Sequence, residues 1–177
     1  MCPHETIENP VTGERLTILE SAADNGGRIF AYEYSCLPTT PVAPEHVHPL
    51  AEESFEVVKG VMVSRINGTE RTVTCGETVV IPAGARHTGW NSGEGELVLR
   101  AQITPGMQFE EYYRTVFHLS RMNKTNKKGV PGPLYLAAMS HEMKNQTFLP
   151  RFIALQKIYI ALAGPLAKWL GYKPYYK

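Results

Sequence analysis

Residues 46–60 read HVHPLAEESFEVVKG and residues 76–91 read GETVVIPAGARHTGWN. The first stretch sets His46 and His48 two positions apart, then Glu53, and closes on Gly60. The second carries Gly76, Pro82, Gly84, His87 and Asn91. Side chains two apart on a strand project to the same face, so His46 and His48 can act together. Imidazole nitrogens and a carboxylate oxygen are ligands for iron, manganese, nickel or zinc. Glu53 and His87 can close one site with them from neighbouring strands. Alternation through Glu53–Lys59 puts Glu53, Phe55 and Val57 on one face and Ser54, Glu56 and Val58 on the other. The first set is expected to face the interior.

The order His-x-His, Glu53, Gly60, followed by Gly76, Pro82, Gly84, His87 and Asn91, resembles the two conserved motifs of the cupin superfamily. The second motif agrees at every position. The first departs once, with Thr40 where a glycine is usual, and this touches the turn rather than the ligands. The resemblance covers roughly residues 25 to 105, one domain's worth of chain. It implies an all-β, antiparallel jelly-roll barrel. It also implies that His46, His48, Glu53 and His87 hold one divalent transition metal ion (Fe, Mn, Ni or Zn), and that the chain forms a homodimer. The superfamily includes isomerases, dioxygenases, decarboxylases, storage proteins and sensors, so the fold leaves the reaction open.

A chain of 177 residues can bury a core and carry an extension. The domain reading is a barrel with its N-terminal arm over residues 1–106 and a helical extension over 107–177. Three cysteines, Cys2, Cys36 and Cys75, are few and odd in number, which points to reduced thiols and a cytoplasmic setting. The N-terminus shows no basic region followed by an apolar stretch, so no signal peptide is expected. The charge is split: residues 1–111 carry 7 Lys and Arg against 16 Asp and Glu, while residues 112–177 carry 11 against Glu142 alone. Two readings fit, a basic tail docked on an acidic barrel or a tail that meets an anionic surface. No nucleic-acid partner is expected, because no recognition motif is present.

Along the chain, strands are expected near Arg15–Glu20 and over Arg28–Leu37. Asn67-Gly68 between Met62–Ile66 and Arg71–Thr74 predicts a tight hairpin. In Glu96–Thr104, Leu97, Leu99, Ala101 and Ile103 share one face, and Val98, Arg100, Gln102 and Thr104 the other. Helices are expected over Phe109–Arg121, Leu134–Lys144 and Pro150–Gly171, the last kinked or broken at Gly164-Pro165. The uncharged run from Ile158 to Ala167 is far short of the ~20 residues that a membrane span requires. The apolar surface of that helix calls for cover by the barrel, a dimer partner, a membrane surface or the pocket mouth, where it would act as a lid.

Three imidazoles and a carboxylate leave a bound metal with positive charge and open positions for a substrate, a small organic molecule. Tyr32, Tyr34, Phe55 and Gln102 are the substrate-contact candidates. The tyrosines read as aromatic core or rim ahead of substrate contacts. Gln102 and Arg100 bind a substrate carboxylate or phosphate if their face is the interior one, and the apolar register of Leu97–Ile103 argues equally that they point outward. Trp90 caps the pocket or packs under a helix, and Glu52 is a solvated neighbour of Glu53. Three functions follow: a metal-dependent enzyme of dioxygenase type, a sugar or sugar-phosphate isomerase with a basic clamp at Arg65 or Arg100, and a non-enzymatic ligand-binding module.

Overall fold

Alternating burial along the strands sets which side of the chain becomes interior. In a computed structural model, residues 4–106, 108–143 and 147–173 are described. Cys2 and the end of the expected second helix at Lys144 lie outside the described residues. Ten strands come first: β1 (Thr6–Glu8), β2 (Arg15–Glu20), β3 (Phe30–Cys36), β4 (His46–Val47), β5 (Glu52–Lys59), β6 (Val61–Ile66), β7 (Thr69–Thr74), β8 (Thr78–Ile81), β9 (Arg86–Asn91) and β10 (Leu97–Thr104). The helices α1 (Phe109–Arg121), α2 (Pro133–Glu142) and α3 (Ile153–Trp169) follow.

The strands make two antiparallel sheets, one ordered β1-β2-β3-β10-β5-β8 and the other β4-β9-β6-β7. This corrects the expectation of a closed all-β barrel. The hydrogen-bonded ladders stay separate, and with three helices the chain is of mixed α and β class. In the larger sheet, register aligns Phe30, Ile103, Glu53 and Ile81 in one inward row, and Tyr32, Ala101, Phe55 and Val79 in the next. Leu97, Leu99, Ala101 and Ile103 are buried, and Arg100 and Gln102 are exposed, as the alternation of β10 requires.

Local turn chemistry explains the connections. Asn67 and Gly68 both take positive φ, 51° and 88°, and join β6 to β7. Gly60 sits at φ 90°, and a Cβ there would meet Glu96 O at 2.9 Å, so the first motif ends on a residue that only glycine can supply. Thr40, where a glycine was expected, needs no such freedom. Its Oγ1 accepts the Leu37 N–H at 3.1 Å and donates to Thr12 O at 3.2 Å.

Two apolar clusters fill the interior. Cys36, Val57, Met62, Val73, Val79, Leu97 and Leu99 join the two sheets at one end. At the other end Phe109, Phe117 and Leu119 of α1 and Met139 of α2 pack with Leu16, Phe30, Tyr32 and Ile103. The first helix follows the sequence expectation over Phe109–Arg121. In the third, Pro165 lies inside α3 without breaking it. The lost N–H is offset by close packing on α2, where Gly164 and Ala167 are buried.

Candidate metal centre

The site lies where the two sheets face each other. His46 on β4 is paired directly with His87 on β9, so the two rings share one face of the smaller sheet. Glu53 comes from the inward row of β5 on the larger sheet. His48 follows β4, and its carbonyl accepts the Gly84 N–H at 2.8 Å, which ties the first motif to the second. One ligand atom from each of His46, His48, Glu53 and His87 lies within 4.8 Å of all the others. His48, Glu53 and His87 are buried and His46 is half-buried.

Hydrogen bonds decide which nitrogen of each ring faces the cluster. His46 Nδ1 lies 2.9 Å from Pro44 O, and His87 Nδ1 lies 3.0 Å from Ala85 O. A carbonyl only accepts, so each Nδ1 carries the hydrogen, and in the neutral ring the lone pair is on Nε2. His48 Nδ1 is held at 3.0 Å by the Thr147 hydroxyl. Such anchoring of the outer nitrogen is what a metal-binding imidazole requires. His87 Nε2 is 3.0 Å from Glu53 Oε2, close enough for attraction, yet it is buried without a hydrogen bond of adequate alignment. An orphaned lone pair aimed at a carboxylate and two further imidazoles fits a shared cation. The donor set therefore suits a divalent transition metal.

The charges agree with this. Burial, then repulsion from His48 and His87, pushes the His46 pKa down to about 4. Burial by itself would raise the Glu53 carboxyl, but His87 beside it, with His48 and His46, holds it below the usual range. His87 goes the other way: burial opposes its charge, and Glu53 and the Ala85 carbonyl outweigh burial and raise it.

The candidate substrate residues separate. Tyr32 is buried one row from Glu53, and its hydroxyl is 3.3 Å from that of Tyr113. Burial raises both phenols well above their ordinary value, and the Glu53 charge adds to this. Phe55 shares the Tyr32 row and is half-buried. Tyr34 lies a row further along and donates to Glu14 Oε1 at 2.7 Å, so it belongs to the far end of the sheet. Gln102 is not brought to the site: it is exposed on the outer face, where its Nε2 donates to Thr104 Oγ1 at 3.3 Å. Glu52 is exposed beside buried Glu53. Trp90 is half-buried with the Arg65 guanidinium 5.2 Å above its ring.

Four contributors come from beyond β10 and escaped the sequence reading. Phe109 meets the His48 ring edge-on at 4.9 Å between centroids. Tyr113 supplies the second phenol. Thr147 holds His48, while Phe148 exchanges two backbone hydrogen bonds with Val47, at 2.9 and 3.0 Å. The extension thus closes the side of the site that β4 leaves open. No local pattern near Thr147 or Phe109 signals this.

The family model described as Cupin domain matches residues 34–102. No curated protein matches the sequence. Among solved structures, the chain is similar to TT1209 from Thermus thermophilus, at 21% identity and TM-score 0.44, covering 58% of this chain and 84% of that one. It is similar to KdgF from Halomonas sp. at 18% identity and TM-score 0.48, covering 58% and 86%. A predicted oxalate decarboxylase from Thermotoga maritima gives 20% identity and TM-score 0.47, covering 58% and 91%. None of these likenesses bears on the reaction.

Proposed function

The chain belongs to the cupin superfamily through its domain at residues 34–102, and from that premise we propose that it is a metal-dependent enzyme acting on a small organic molecule. The convergence of three imidazoles and Glu53 within 4.8 Å carries this reading. His46, His48, Glu53 and His87 would hold the ion. A divalent transition metal there supplies Lewis acidity and, for a redox-active ion, electron exchange with dioxygen.

The chain's own residues do the rest. Phe30, Ile81, Ile103 and Phe109 surround the donors with apolar surface and exclude water. The Tyr32 and Tyr113 hydroxyls keep their protons at neutral pH and can donate hydrogen bonds to an anionic oxygen of the substrate.

This setting favours dioxygenase-type chemistry over sugar-phosphate isomerisation. A phosphate clamp needs an inward cation. Arg100 is exposed and paired with Glu56 at 3.0 Å, and Arg65 is half-buried, paired with Glu70 and set over the Trp90 ring. The second reading is ligand binding without turnover. It draws support from the phenols near the donors, which remain protonated.

Metal analysis of protein purified without added metal, beside His48→Ala/His87→Ala, tests the proposal. Stoichiometric iron lost in the variant, with dioxygen uptake on an aromatic or diketone substrate, is the expected result. Zinc without oxygen uptake moves isomerisation ahead. Saturable binding without product leaves the binding module. A folded protein that takes up no metal overturns the metal reading.

A further inference from the structure

The α3 helix leaves most of its large apolar side chains exposed. Gly164 and Ala167 are its buried positions, and a Cβ on Gly164 would fall 2.5 Å from His141 Cβ, so α3 lies tight against α2. The opposite side carries Leu155, Ile158, Tyr159, Leu162, Leu166 and Trp169, with Leu162 72% and Trp169 81% exposed. Spacings of three and four residues put these on one stripe. A contiguous apolar face of this kind marks an interaction surface.

Just before the helix, Phe152 takes a left-handed conformation, φ 58° and ψ 38°, which L residues with a Cβ avoid. Gln156 locks this turn. Its Nε2 donates to Leu149 O at 2.9 Å and Arg151 O at 2.7 Å, and its Oε1 accepts from Leu149 N at 3.0 Å. The strained turn holds the Phe152 ring 73% exposed, at the head of the stripe.

Charge identifies the occupant. Residues 112–177 hold 11 Lys and Arg against Glu142, which is already engaged by Lys168. Among the described residues, Arg114, paired with Glu5 and Glu110, is the one Lys or Arg of this segment in an ion pair with the acidic part. Arg151 and Lys173 stay exposed at the two ends of α3, while Lys157 Nζ lies 5.6 Å over the Phe148 ring on the other side of the helix. A second copy laid face to face would bring two such basic segments together. An anionic bilayer offers both an apolar layer and opposite charge.

We propose that α3 lies in the plane of an anionic membrane surface. The leucine and isoleucine side chains of the stripe enter the acyl layer, and the basic residues meet the lipid phosphates. Trp169 suits the headgroup level, where amphipathic rings settle, while the Tyr159 hydroxyl donates to Pro133 O at 2.9 Å. The helix has 17 residues, and no helix among the described residues is long and apolar enough to cross a membrane. It therefore rests on the surface.

The test mixes the full chain with vesicles of phosphatidylcholine, with or without phosphatidylglycerol, and follows co-sedimentation and tryptophan emission. The expected result is binding to the phosphatidylglycerol vesicles with a blue shift, reversed by salt. Trp169→Phe keeps binding and loses the shift, which separates it from Trp90. Leu162→Glu lowers partition by about tenfold or more, as expected for one buried leucine, with circular dichroism and metal content unchanged. Arg151→Glu/Lys173→Glu lowers it through charge alone and spares the packing of α3 on α2. Failure to sediment with anionic vesicles overturns the proposal, as does equal binding by all variants. A lipid-free dimer that Leu162→Glu splits assigns the face to a second copy instead.

Discussion

Thr147 fixes the imidazole of His48 across 99 positions of chain. Its hydroxyl orients the ring, and loss of such a partner typically costs 10–100-fold in metal affinity. Thr147→Val should weaken metal binding by about 10–100-fold, measured by competition with a chelator, while Thr147→Ser keeps most of it. The pH dependence also belongs to single residues. His46, at about 4, is neutral through the physiological range and does not compete with metal. His87 is raised above 6.5, so protons compete with metal as pH falls through its raised value. Metal binding at neutral pH should therefore release protons, read as a buffer-dependent calorimetric heat. The metal-free protein behaves in the opposite sense. A raised folded pKa adds stability that is full below 6.5 and is lost as pH rises through the folded value. Its thermal midpoint should carry a His87 contribution that falls over that window and vanishes in His87→Ala.

At the scale of elements, the α2–α3 contact depends on the absence of a side chain at Gly164. Gly164→Leu should cost about 1–3 kcal/mol by overpacking against His141, seen as a lower urea midpoint with the first motif intact. The elements also mark where sequence reading stops. Strand β10 was legible because period-two alternation is a local signal, but alternation alone left open which face turns inward, and packing puts Gln102 and Arg100 outside. The hairpin at Asn67-Gly68 was legible for the same local reason. The four donors were legible because two short motifs carry all of them. Phe109, Tyr113 and Thr147 were not, because their roles depend on where α1 and the segment before α3 dock, and docking leaves no mark on local periodicity. The third helix shows the limit most sharply. Its apolar residues called for a covering surface, but the packing on α2 selected Gly164 and Ala167 and left Leu162 and Trp169 outside. Strand β1 was missed because three residues are too few to show a period.

At the scale of the whole molecule, the candidate metal centre sits between the sheets and is covered by the helical extension. Burying Glu53 among imidazoles costs free energy that a bound cation offsets. A metal at about 100 times its dissociation constant adds about 2.7 kcal/mol to stability. For a chain of this length, each kcal/mol moves the thermal midpoint by about 2–4 °C. Chelation should thus lower the midpoint by about 5–11 °C, measured by calorimetry, with no such change in His48→Ala/His87→Ala. The Val47–Phe148 bridge described above gives the molecule an order of manufacture. A ribosome delivers about 5–20 residues per second, so Thr147 and Phe148 follow His87 by roughly 60 residues, several seconds later. All four donors exist on the nascent chain before the residues that pin His48 have been made. An ion taken up at that stage would meet an open cluster, enclosed only once Thr147 and Phe148 are in place.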